Sequence, residues 1–81
     1  MEACEANYES GEPGSRDVRF INWRMDNGGY EGAYSWLPST WRRQRFAGYP
    51  VRAVDATPMQ QTLVFRRYMN VREWPPLAHC L

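Results

Sequence analysis

Apolar and polar positions alternate over residues 17–24, where Val18 and Phe20 share one face and Arg19, Ile21 and Trp23 the other. A period of two is the mark of a half-buried strand. Asp26, Asn27, Gly28 and Gly29 follow, and Asn-Gly is a strong hairpin signal because a type I′ turn needs positive φ at both central positions. Residues 30–37 then read as the returning strand, with Tyr30, Gly32, Tyr34 and Trp36 on one face. Pro38, Ser39 and Thr40 start a short helix, with Ser39 or Thr40 as N-cap. It runs from Trp41 to Ala47, and Gly48 suits a left-handed C-terminal position. Residues 50–56 read as a third strand, and Thr57-Pro58 marks a turn. Residues 61–71 hold Thr62, Leu63, Val64, Phe65 and Tyr68 and read as the fourth and most strand-like segment. Trp74, Pro75 and Pro76 end it.

The expected fold is therefore α+β, a small antiparallel sheet in ββαββ order covered by one short helix. An SH3-like or OB-like small β-barrel is the alternative. Residues 1–16 are polar and Glu-rich and carry Gly11, Pro13 and Gly14, so they read as an acidic, disordered tail before a single domain over 17–81.

Size and composition narrow the picture. Four Trp, five Tyr and three Phe in 81 residues supply a core for one domain. No stretch approaches the ~18 apolar residues of a membrane span. The start of the chain has neither the basic nor the apolar region of a signal peptide, which gives a cytoplasmic expectation. All ten basic residues are Arg. Residues 1–16 hold Glu2, Glu5, Glu9 and Glu12 against Arg16, a net of −3, and residues 17–81 hold nine Arg against five acids, a net of +4. The acidic tail is read as solvated. Cys4 and Cys80 stand near opposite ends. A disulfide would close a long loop, but two free thiols fit a reducing compartment better.

Catalytic constellations are sparse at this level. The single histidine, His79, stands beside Cys80 near the end of the chain, where a rigid catalytic geometry is not expected. Cys4, His79 and Cys80 lack metal-ligand spacing, so no metal or cofactor is expected. Gly28, Gly29 and Gly32 fit a hairpin better than a phosphate loop. Nothing in the spacing of Asp26, Glu31, Asp55 and Glu73 favours a glycosidase carboxylate pair.

The informative feature is the adjacency of aromatics and arginines at Trp23-Arg24, at Trp41-Arg42-Arg43 with Arg45 and Phe46, and at Phe65-Arg66-Arg67-Tyr68. If Phe65 points inward along a strand, Arg66 and Tyr68 face outward together. Trp41, Arg42, Arg43, Arg45, Arg66 and Tyr68 are then the candidate contact surface, since Trp, Tyr and Arg dominate interface hot spots. The leading expectation is a small non-catalytic protein-binding module, accessory or inhibitory, meeting a partner with an acidic surface. Small phage- or mobile-element-encoded proteins that occupy a host complex share this profile. A nucleic-acid-binding domain using the same residues against phosphates and bases is the alternative, opposed by the modest net charge. A structural subunit of a larger assembly is the third. Trp74 to Leu77 also offer a polyproline II segment.

Overall fold

The structure, a computed structural model, describes residues 2–13 and 15–72. It is helical. Helix accounts for 49% of the chain and strand or bridge for 5%, and there is no sheet among the described residues. The expected ββαββ sheet and the small-barrel alternative are both overturned. Three α-helices carry the fold: α1 over Glu2–Ser10, α2 over Pro38–Gln44 and α3 over Pro58–Arg72, with short 3-10 turns at Val18–Phe20 and Ala53–Asp55.

The segment expected to be the fourth strand is most of α3, and its start explains why. Thr57 Oγ1 accepts from the Gln60 backbone N–H at 3.1 Å, and the Gln60 side chain accepts from the Thr57 N–H at 3.0 Å. This is a reciprocal capping box, with Pro58 at the first helical position, where its missing N–H costs nothing. Gln61, Val64 and Phe65 are buried and Tyr68 half-buried, the i, i+3, i+4, i+7 stripe of an amphipathic helix. Thr57→Ala should lower stability by about 1 kcal/mol. For a domain of this size that is a fall in Tm of about 4–8 °C, readable by circular dichroism.

The expected tail is also ordered. In α1, Cys4, Ala6 and Asn7 are fully buried. Asn7 Nδ2 donates to the Ala3 and Asp17 carbonyls, and its Oδ1 accepts from the Glu12 N–H. One side chain thus fixes the end of α1 to the segment that leaves it. Cys4 is disulfide-bonded, which corrects the expectation of a free thiol. The only other cysteine, Cys80, lies outside the described residues, as do Glu73, Trp74 to Leu77 and His79. Non-reducing peptide mapping should find Cys4 linked to Cys80. Reduction should then cost about 4 kcal/mol in the chain-entropy picture, because the bond closes nearly the whole chain.

The expected first hairpin survives only as turns. Among the described residues, pairing is limited to single antiparallel bridges, Asp26 with Glu31 and Glu31 with Trp36. Gly28 has φ +88°, but Asn27 stays out of the left-handed region, and its Oδ1 accepts from the Gly29 and Tyr30 N–H groups. A side-chain-closed loop replaces the type I′ turn. Residues 50–56 hold the second 3-10 turn in place of a strand. Arg52 donates from that segment to Glu31 Oε2 and to Asp26 Oδ2 at 2.7 Å, clamping it to the loop.

Helix α2 lies where the sequence placed a helix, although it starts at Pro38 and ends at Gln44. Its Trp41 is fully buried and donates from Nε1 to the Pro50 carbonyl at 2.9 Å. Ring contacts at the centre of the core join the loop before α2 to α2 and α3. Tyr34 stacks on Phe65 with centroids 4.1 Å apart and planes 11° apart. Trp36 meets Trp41 at 5.7 Å and Tyr68 at 5.4 Å, both edge to face, the favoured geometry of aromatic pairs. Among the described residues, no helix is long and apolar enough to cross a membrane.

Candidate functional site

The six residues proposed from sequence do not form one surface. Trp41 is fully buried and leaves it. Arg42 and Arg43 are exposed at the end of α2. Arg45 is half-buried, and its Nη1 donates to the Tyr49 carbonyl at 2.7 Å. Arg66 and Tyr68 were expected side by side on a strand. On a helix they point about 160° apart. Arg66 borders an apolar groove of about 600 Å³ with Val18, Trp23 and Met59, whereas Tyr68 packs on Trp36. Arg67 instead stacks over Phe46, 4.9 Å from the ring centroid.

A different site comes together on the other side of Tyr34. A cleft of about 380 Å³ opens there, within the size range of small-molecule sites. Helix α1 contributes Glu5 and Glu9, the loop before α2 contributes Tyr30, Tyr34, Ser35 and Trp36, and α3 contributes Phe65 and Tyr68, with Leu37 and Thr40 at one side. The walls are rigid because Tyr34, Trp36 and Phe65 belong to the core. Tyr30 and Leu37 are exposed at the rim, at 47% and 49%.

The two carboxyls differ. Glu5 is buried in the wall and already engaged within the protein. Glu9 is exposed, yet its carboxyl is raised above its ordinary pKa. Burial is the largest cause, a hydrogen bond from Ser35 opposes it, and the negative charge of Glu5 adds to it. None of the cleft-lining residues is basic. The local balance therefore shifts Glu9 toward its protonated form, the reverse of what a neighbouring cation does to a carboxylate. A carboxyl perturbed by desolvation and lining a cleft is a functional-site candidate.

Tyr30, Tyr34, Ser35, Thr40 and Tyr68 line the same cleft, and five of its lining residues are aromatic. Tyr34 shares its hydroxyl with Thr62 Oγ1 at 3.2 Å. Such walls suit a neutral ligand with many hydroxyls and apolar C–H faces. The hydroxyls exchange hydrogen bonds, and the faintly positive C–H faces lie on the negative faces of the rings.

Sequence reasoning did not reach Glu5 and Glu9, because they fall in the segment read as a tail. The available signal was Cys4 with Ala3, Ala6 and Asn7, a small-residue face at helical spacing. No protein-family model, curated protein or solved structure matches the chain.

Proposed function

We propose that the protein is a glycan-cleaving enzyme in which Glu9 is the general acid and the aromatic cleft binds the sugar chain. The observation that carries this is the raised carboxyl of Glu9 in a cleft whose other polar groups are almost all hydroxyls. A carboxyl whose pKa is raised by desolvation is the kind of proton donor that glycosidases use. In the reaction, Glu9 gives its proton to the glycosidic oxygen as the C–O bond breaks. The leaving sugar takes the bonding electron pair and departs as an alcohol. A water adds to the oxocarbenium carbon and returns a proton to Glu9, so the net change is hydrolysis.

The test is digestion of reducing-end-labelled hexose and N-acetylhexosamine oligosaccharides by the full chain and by Glu9→Gln, followed by chromatography. Shorter labelled products from the wild type alone support the proposal, and intact substrate with both proteins overturns it.

A second reading keeps the non-catalytic protein-binding module for a partner with an acidic surface. It is supported by the exposed Arg42 and Arg43 and by Arg67 stacked on the half-exposed Phe46, an arginine–aromatic pairing of the kind used at interfaces. The Arg66–Tyr68 row behind the nucleic-acid alternative was a feature of the overturned strand. The disulfide at Cys4 supports an oxidising compartment over the cytoplasm expected from sequence. Free thiols in the native protein, by thiol titration, would restore the cytoplasmic expectation.

A further inference from the structure

Helix α1 carries both carboxyls of the cleft, yet its own sequence gives it little to stand on. It has nine residues, and an isolated helix shorter than about 12–15 residues is marginal in water. Its helicity therefore depends on docking. The groups it docks with are small: Ala3 is half-buried, and Cys4, Ala6 and Asn7 are fully buried. They remove far less apolar surface from water than the rings of Tyr34, Trp36 and Phe65 that form the rest of the wall.

Docking also has a cost. It buries Glu5 and brings Glu9, one turn further on, against a wall with no basic residue. Hydrogen bonds offset part of that cost. Asn7 binds the Asp17 carbonyl and the Glu12 N–H, but both belong to the segment that leaves α1. Ser35 Oγ donates to the Glu9 carbonyl at 3.3 Å, at an exposed position. The remaining tie is covalent, the disulfide of Cys4, beside Glu5 on the buried face. The rest of the core is joined without α1. Tyr34 stacks on Phe65, Trp36 packs on Trp41 and Tyr68, and Gln61 binds Trp23, Ala33 and Ala56.

We propose that the disulfide at Cys4 is a redox switch for the cleft: α1 docks and completes the wall only when Cys4 is oxidised, while the aromatic core forms in either state. That the switch governs catalysis rests on the function proposed above. The step is exchange with an external disulfide of the glutathione type. The thiols of Cys4 and Cys80 lose two protons and two electrons as their S–S bond forms. The external disulfide takes the electrons, its own S–S bond breaks, and it leaves as two thiols. A chain held in a reducing compartment then lacks the cleft and gains it on reaching an oxidising one.

The test is residue-resolved amide hydrogen exchange on the full chain, oxidised, reduced by a dithiol, and reoxidised with oxidised glutathione. Cys80→Ala runs beside it without reductant, since it removes the bond and leaves the Cys4 side chain in place. The amides of Ala6 to Ser10 are expected to exchange at least about tenfold faster in the reduced protein and in Cys80→Ala, and to recover on reoxidation. The amides of Trp41, Val64 and Phe65 should stay protected throughout. Protection of α1 that survives reduction overturns the proposal, because α1 then docks by its own contacts. Loss of protection in all three helices together also overturns it, because the bond is then a staple of the whole fold. Exchange is read without substrate. Release of α1 in a protein that cleaves no oligosaccharide would sustain the switch and sink the enzymatic function alone.

Discussion

Glu9→Gln is expected to abolish oligosaccharide cleavage, with a loss of at least about 100-fold in kcat, the lower end of what a positioned general acid contributes. Glutamine keeps the shape of the side chain but has no proton to give. A merely structural role for Glu9 makes a different prediction, because the two properties should move apart. The folded-state pKa of Glu9 is raised, so its contribution to stability is fully present below the unfolded pKa and is lost as pH rises through the folded one. Near pH 7 the wild type therefore carries the penalty of a charge in a desolvating site, and the neutral variant does not. Glu9→Gln should melt at the same temperature as wild type or higher while losing activity, the usual relation between a functional group and the stability it costs. Wild-type kcat should fall with rising pH as Glu9 ionises. A Glu9→Gln protein that retains cleavage would overturn the assignment of the proton donor.

Helix α2 was legible in part because its proline is a local start signal, but Leu37 and not Ser39 or Thr40 is the N-cap, and the helix stops at Arg45, ahead of Gly48. Helix α3 was misread for a physical reason. Thr62, Val64, Phe65 and Tyr68 have the side-chain shapes that favour strands, but β-propensity mostly reports fit to a half-buried surface. The Thr57–Gln60 capping box and the stripe from Gln61 to Tyr68 point the other way, and they prevail once the aromatic face has Tyr34 and Trp36 to pack on. The first hairpin failed because the loop folds on itself through Asn27 and around Gly32, which spends its backbone groups before a ladder extends.

The candidate site was nearly invisible for a related reason. An acidic, Gly- and Pro-punctuated start looks like a solvated leader, and α1 buries small residues where strong apolar ones would have announced a helix. What orders it is non-local: the disulfide at Cys4 and the bridges that Asn7 makes to Asp17 and Glu12. The aromatic–arginine adjacency was real in sequence, but helical geometry sends Tyr68 into the cleft and Arg67 to Phe46.

The largest effect on the fold should come from Gln61→Leu. Gln61 is fully buried, and each of its polar atoms has a partner. Its Oε1 accepts from the Ala33 N–H at 2.8 Å, and its Nε2 donates to the Trp23 and Ala56 carbonyls at 2.8 and 3.0 Å. One amide thereby ties α3 to three separate stretches of chain that have no sheet or helix to satisfy them. The fit is close, because a Cβ on Gly32 would lie 2.7 Å from Gln61 Oε1, at a backbone with φ +76°. Leucine matches the volume and adds apolar surface, which would offset part of the loss if packing alone mattered. It also strands one N–H and two carbonyls, each at about 1–3 kcal/mol. The expected net loss is about 5 kcal/mol, comparable to the whole stability of a domain this small. Urea denaturation should therefore find Gln61→Leu largely unfolded at 25 °C. Gln61→Glu is the informative partner: it retains the acceptor for Ala33 but turns a carboxylate oxygen on the two carbonyls, so its destabilisation should ease as pH falls and the acid protonates. A Gln61→Leu protein of wild-type stability would mean that the loop over Tyr30 to Trp36 is held by its rings alone, and that the cleft walls do not depend on this amide.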